Sequence, residues 1–243
     1  LEIEEQRWNR ELERVYYDTD LRAAEAVIDL HHRNVPFSSI QKAFSVGVMG
    51  RRRKRHLVPT RWSITACDTT IGNHLLSRVM QCSPIDTWRV HEFSSLNNRY
   101  AVILMPTAWQ YEWTEAFVRV LGKEEVVFSD FERHKPKKTY SHLGGCFYSC
   151  KMAVLEALAE QQKQAGAIIL REAHSGYVPL GVFNVRENVR NAMKQPAYEC
   201  EDAAAVREYL SGTFTLPLQR FEDAGVLMKE IGRKRQTSLL DFS

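Results

Sequence analysis

Asp68, Glu92, Glu172 and His174 are the residues of this chain whose types fit metal-assisted or acid–base chemistry, and they stand as candidate catalytic groups. Glu172 and His174 close an apolar run, Ala167–Leu170, just ahead of Ser175-Gly176, and strand ends that open into loops often carry function. Asp130 and Glu132 add two more carboxylates, with Lys135 three residues on. His142, Cys146 and Cys150 recur every four residues, which would align them on one helix face. The two-residue spacer usual between paired cysteine ligands is missing, and Gly144-Gly145 interrupts the helix, so these thiols read as core residues and no metal site is assigned. Gly144-Gly145 also lacks the Lys-Ser/Thr of a phosphate-binding loop and reads as a turn that opens a helix.

A second kind of chemistry is carried by cations. Arg51, Arg52, Arg53, Lys54 and Arg55 are consecutive, with His56 after them. Such a run repels itself unless an anion neutralises it, and its arginines favour bidentate phosphate contact. Arg61 and Trp62 follow closely, a cation beside a stacking platform. Near the other terminus a basic run, Arg233-Lys234-Arg235, leads into Gln236-Thr237-Ser238-Leu239-Leu240-Asp241-Phe242-Ser243. In a single 3₁₀ turn Leu239 and Phe242 project together while Gln236 stays free to hydrogen-bond. This tail resembles the clamp-binding PIP box of proteins that dock on the sliding clamp PCNA, with Ser243 where a second aromatic is usual. Burying Leu239 and Phe242 yields about 2–3 kcal/mol each, against about 2–5 kcal/mol to order the tail. The expected role is therefore a weak tether. The Asp130-x-Glu132-x-x-Lys135 stretch in turn resembles the acid–acid–lysine layout of metal-dependent nucleases, which would use Mg²⁺.

The elements that must position these groups are legible in part. Helical spacing is expected over Glu2–Val15, over Leu21–His31 and in a short stretch within Val35–Ala43, and again over Thr70–Gln81. Thr87–Phe93 and Tyr100–Met105 read as strands of a hairpin turning at Asn97-Asn98. Gln110–Val120 fits a strand or a helix, Val126–Phe128 a short strand and Glu132–Lys138 a charged loop. A helix with Phe147, Cys150, Val154, Leu155 and Leu158 on one face follows Gly145 and ends at Gly166; Ala167–Leu170 is a buried strand. Helical stretches complete the chain at Val189–Lys194, Asp202–Leu210 and Leu218–Lys229. Strands mixed with helices without strict alternation indicate an α+β or mixed α/β fold, a single globular body over residues 1–231 with a flexible basic linker and tail over 232–243.

Composition is ordinary for a soluble protein: 243 residues, 44% hydrophobic, 26% charged, net charge +3. No apolar run is long enough for a bilayer, no signal-peptide pattern is seen in the sequence, and five irregularly spaced cysteines fit a reducing compartment, so a cytoplasmic location is expected. Leu1 in place of an initiator methionine is expected to mark a fragment or a processed chain.

The block Val58-Pro59-Thr60-Arg61-Trp62-Ser63-Ile64-Thr65-Ala66, with Asp68, resembles the core block of the archaeal Nre DNA-repair proteins, which also end in a PCNA-binding box. The cysteine-rich, zinc-finger-like segment of that family has no counterpart here, since residues 1–50 contain no cysteine. The resemblance implies a DNA-repair factor that binds DNA through Arg51–Arg55, Arg61 and Trp62 and PCNA through Gln236, Leu239 and Phe242. It supplies no catalytic mechanism and no evident cofactor, and the alternative of a Mg²⁺-dependent nuclease acting on damaged DNA stays open.

Overall fold

In the computed structural model the described residues are 10–120, 122 and 124–233. Its frame is a hairpin. Strand β1 (Trp88–Ser95) and strand β2 (Asn98–Met105) pair antiparallel, with Ser95 opposite Asn98. The two-residue loop is Leu96-Asn97, one position earlier than expected. Both residues have positive φ, the twist that a right-handed hairpin favours.

Around this hairpin a six-stranded mixed sheet forms in the order β4-β3-β5-β2-β1-β6. Strand β3 is Tyr111–Val118, β4 is Glu125–Glu132, β5 is Gly166–His174, and β6 is Tyr198–Cys200. Only β3 and β5 run parallel, as they can because a helix, α5 (Gly145–Glu160), lies between them in the chain. β4 is longer than the three residues expected, and the edge strand β6 has no clear sequence signal.

Strand alternation sends side chains to two cores. Tyr100, Val102, Leu104, Trp113 and Ile169 point to the face covered by α4 (Thr60–Val79), α5 and α6 (Gly181–Lys194). Three shorter helices, α1 (Arg10–Tyr17), α2 (Ala23–His32) and α3 (Phe37–Ser45), pack in the same core. Ala101, Ile103, Ile168 and Leu170 point to the opposite face, covered by α7 (Ala203–Leu210), α8 (Leu218–Ala224) and α9 (Leu227–Arg233). Among the described residues the molecule is thus a helix–sheet–helix sandwich, a mixed α/β body built on one continuous sheet. None of its described helices is long and apolar enough to cross a membrane.

Three helix boundaries differ from expectation for physical reasons. α4 begins at Thr60, ten residues before Thr70, because its first turns bury Ser63, Cys67 and Asp68, which leave no apolar stripe to read. α6 begins at Gly181 although its buried face includes Arg186 and Asn188. The expected helix over Leu218–Lys229 breaks at Gly225, where a Cβ would meet Glu112 Oε1 at 2.5 Å. That space lets Glu112 accept hydrogen bonds from the amides of Val226, Leu227 and Met228, at 2.6, 2.7 and 3.1 Å, and so cap α9.

Candidate nucleic-acid interface

The basic run lies on the connection between α3 and α4. Gly47 (φ +73°) and Gly50 (φ +98°) turn the chain, and at Gly47 any Cβ would strike the carbonyl of His56 at 2.8 Å. Arg52–Lys54 then form a short 3₁₀ turn. The connection is tied down at both ends. Val58 donates its amide to Ser45 O at 2.8 Å, the Ser45 hydroxyl returns a bond to Val58 O, and the Arg52 amide reaches Thr19 O.

The five cations do not behave alike. Arg55 turns inward: its guanidinium donates to the carbonyls of Gly50, Tyr16 and Asp18 at 2.6–2.8 Å and lies 5.3 Å from the Tyr16 ring centre. It is a clamp for the loop and is withdrawn from the expected phosphate-contacting set. Arg51, Arg52, Arg53 and Lys54 are exposed, and none has a carboxylate partner among the described residues. Five residues beyond Arg55 the chain starts α4, whose exposed first turn presents Arg61 and Trp62, the latter 60% accessible. The unpartnered cations and the free indole therefore lie on one short connection, an arrangement suited to phosphates and a stacked base. Arg22 and His56, which sequence reasoning passed over, flank the same turn; only the adjacency of His56 to the run signalled it.

The acidic candidates are placed elsewhere and hold the fold. Asp68 is fully buried, with Arg186 Nη1 at 2.8 Å, Gln41 Nε2 at 3.1 Å and the Ser149 hydroxyl also donating to it. Burial pushes its carboxyl above the usual aspartate range, opposed by Arg186 and Ser149. Glu172 lies on the opposite sheet face and accepts from the amides of Thr215 and Leu216 at 2.9 and 2.8 Å and from His174 Nε2 at 2.6 Å. Glu92 accepts from the Tyr209 hydroxyl on α7. The structure thus joins Glu172 with His174, while Asp68 and Glu92 have separate partners.

The acid–acid–lysine stretch does not bring Lys135 to its carboxylates. Asp130 bonds Lys137 and the Ser141 hydroxyl, and Glu132 bonds the buried Lys151 at 3.0 Å, while Lys135 is exposed. Both carboxylates are held in ion pairs with lysine ammonium groups. Among the described residues no three His, Cys, Asp or Glu side chains gather as a cation site.

His142 lies outside α5 and faces Asp130 at 3.6 Å. Burial raises Cys146 to about 12, with Glu115 adding to the shift, so that thiol stays protonated. Gly144 adopts φ +66° ahead of α5. Gly145 allows close helix packing, since a Cβ would meet Thr65 Oγ1 at 2.5 Å and Val182 Cγ2 at 2.9 Å.

Comparison with known proteins places the chain. A model described as "Archaeal Nre, N-terminal" matches residues 1–120, and one described as "Archaeal Nre, C-terminal" matches residues 132–242. The chain belongs to the archaeal Nre family. It is similar to the DNA repair protein NreB of Archaeoglobus fulgidus, 38% identical over 240 residues that make up 95% of this chain and 59% of that protein. The DNA repair protein NreA of the same organism is 38% identical over 187 residues, 75% of this chain and 48% of that protein. The Haloferax volcanii DNA repair protein NreA is 31% identical over 207 residues, 79% and 49% respectively. This Nre chain therefore spans about half to three-fifths of the curated relatives it matches. No solved structure matches it. The N-terminal match ends just after β3 and the C-terminal match begins at the last residue of β4, yet those strands pair along their whole length within one sheet. The PIP-like residues Gln236, Leu239 and Phe242 lie outside the described residues, and the C-terminal Nre model extends over them.

Proposed function

We propose that this chain is a DNA-repair factor that binds DNA through the α3–α4 connection and the head of α4, and is recruited to the sliding clamp PCNA through its C-terminal tail. The observation that carries the DNA-binding part is the run Arg51–Lys54, exposed and without carboxylate partners among the described residues, beside the exposed Arg61 and Trp62. The relatives named as DNA repair proteins support the repair role. Gln236, Leu239 and Phe242 carry the clamp reading by their spacing, directly behind α9, whose Leu227, Met228 and Ile231 anchor it to the body. The reading includes no bond-breaking step.

The test has two arms. Titrating single-stranded DNA across a range of salt should give a steep dependence, and changing Arg51–Lys54 together to glutamine should lower the magnitude of the log–log slope by roughly 3. An unchanged slope would remove the connection from the interface. Calorimetry with PCNA should show binding that Leu239→Ala with Phe242→Ala abolishes; binding that survives would sink the tail assignment.

A further inference from the structure

Beneath the basic turn lies a cavity of about 240 Å³, between the head of α2, the end of α3 and the α3–α4 connection. Its floor is apolar: Ala23, Phe44, Met49 and Val58. It is also lined by three cations, Arg22, Arg51 and Lys54, and by the His56 ring. The volume falls just below the roughly 300–1,000 Å³ of pockets for drug-sized ligands, so its occupant is small. An apolar floor does not suit a bare anion, and an apolar side chain has no use for three cations at the mouth. A planar aromatic base attached to a phosphate matches both halves.

We propose that this cavity receives one unstacked base of single-stranded DNA, with its flanking phosphates on Arg51 and Lys54. The proposal rests on the DNA-binding reading above. The cavity is built to persist. Arg55 holds the Gly50 carbonyl and bridges to Tyr16 and Asp18, and the Ser45–Val58 bonds fix the opposite wall. Phe44, only partly buried, offers an aromatic surface inside. His56 stands at the rim with Nδ1 2.9 Å from Lys54 O. A carbonyl only accepts, so Nδ1 carries the proton and Nε2 of the neutral ring is an acceptor, suited to an exocyclic amine of a base. Single strands are the favoured partner because a base in a duplex must first be unstacked and unpaired.

The experiment compares an ordinary single-stranded oligonucleotide with an abasic one of equal phosphate count, using the full chain and fluorescence anisotropy. The intact strand should bind about fivefold to a hundredfold tighter, as expected for stacked bases. Ala23→Leu, which fills the cavity without changing charge, should reduce that preference severalfold, beyond any share that Trp62→Ala removes, and leave the abasic affinity unchanged. His56→Ala, at the exposed rim, provides a second variant that does not disturb the core and should reduce the preference severalfold. A preference that survives both variants but disappears in Trp62→Ala would assign stacking to Trp62 and overturn the pocket, with DNA binding intact. Failure of the unaltered chain to bind either strand would overturn the DNA-binding reading and the pocket with it.

Discussion

The arginines of the sheet faces and those of the α3–α4 connection are one residue type in opposite settings. Arg186 is buried against Asp68 and lies 4.4 Å from the Phe37 ring centre. Arg171 is buried between Glu115 and Asn98, with three aromatic rings around it. Arg207 and Arg190 are likewise paired with carboxylates. Arg51, Arg52 and Arg53, with Lys54, have no carboxylate at all among the described residues. A buried unpaired charge costs several kcal/mol, whereas an exposed one costs little and remains available to a partner. In the body, charge fixes geometry; on the connection, it stays exposed and without a carboxylate partner among the described residues.

Breaking a buried pair gives the largest effect. Asp68→Asn or Arg186→Met alone should destabilise the protein by about 3–5 kcal/mol in urea denaturation, because each leaves a buried group uncompensated. The double change should recover much of that loss, since a buried ion pair contributes little net stability against an apolar replacement. A loss in the double variant equal to the sum of the two single losses would show that the pair is not coupled as the 2.8 Å contact requires.

At the interface, Trp62→Ala should leave the unfolding midpoint unchanged, the indole being mostly exposed. It should weaken single-stranded DNA binding by about 1–3 kcal/mol. A drop in stability without a drop in binding would place Trp62 with the fold.

A third measurement separates the two regions by pH. Burial alone would raise the Glu156 carboxyl, but His31, 3.9 Å away, and hydrogen bonds from Arg190 hold it below the usual glutamate range. The folded value is thus depressed. Its contribution is fully present above the unfolded value of roughly 4.3 and is lost as pH falls through the folded one. Glu156→Gln should cost about 1–2 kcal/mol near neutrality, discounted for its partial exposure. That difference should shrink toward zero as the solution is acidified below pH ~4. A pH-independent difference would mean that the side chain acts by packing alone.

How much of this was legible follows the same division. The hairpin, the strand Ala167–Leu170 and the helix after Gly145 are written in local alternation and helical spacing, which need no knowledge of distant residues. The start of α4 was not legible, because Thr60, Trp62, Ile64 and Thr65 are poor helix formers and the buried face carries Ser63 and Asp68. Those become intelligible only with Arg186, 118 positions away. The exposed cations were visible in the sequence as a run, but nothing local distinguished Arg55 from Arg53. Three backbone carbonyls, two of them from residues 37 and 39 positions earlier, make that distinction. Asp68, Glu92, Glu172 and His174 looked like chemistry for the converse reason: polar residues near apolar runs are also what a fold uses to tie helices and loops to a sheet.

The smallest expected effect is also the sharpest. Arg52→Gln and Arg55→Gln make the same chemical change three residues apart. Arg52 carries no side-chain partner among the described residues, so its loss should alter stability by no more than about 0.5 kcal/mol. It should nevertheless lower the salt slope of single-stranded DNA binding by roughly 0.7 if it touches a phosphate. Arg55→Gln removes three hydrogen bonds to carbonyls, and should reduce stability by about 1–3 kcal/mol. Its effect on the slope should be near zero, because its guanidinium is already committed to the loop. If the two variants exchanged roles, with Arg55 setting the slope and Arg52 the stability, the division between structural and available cations on this connection would be wrong.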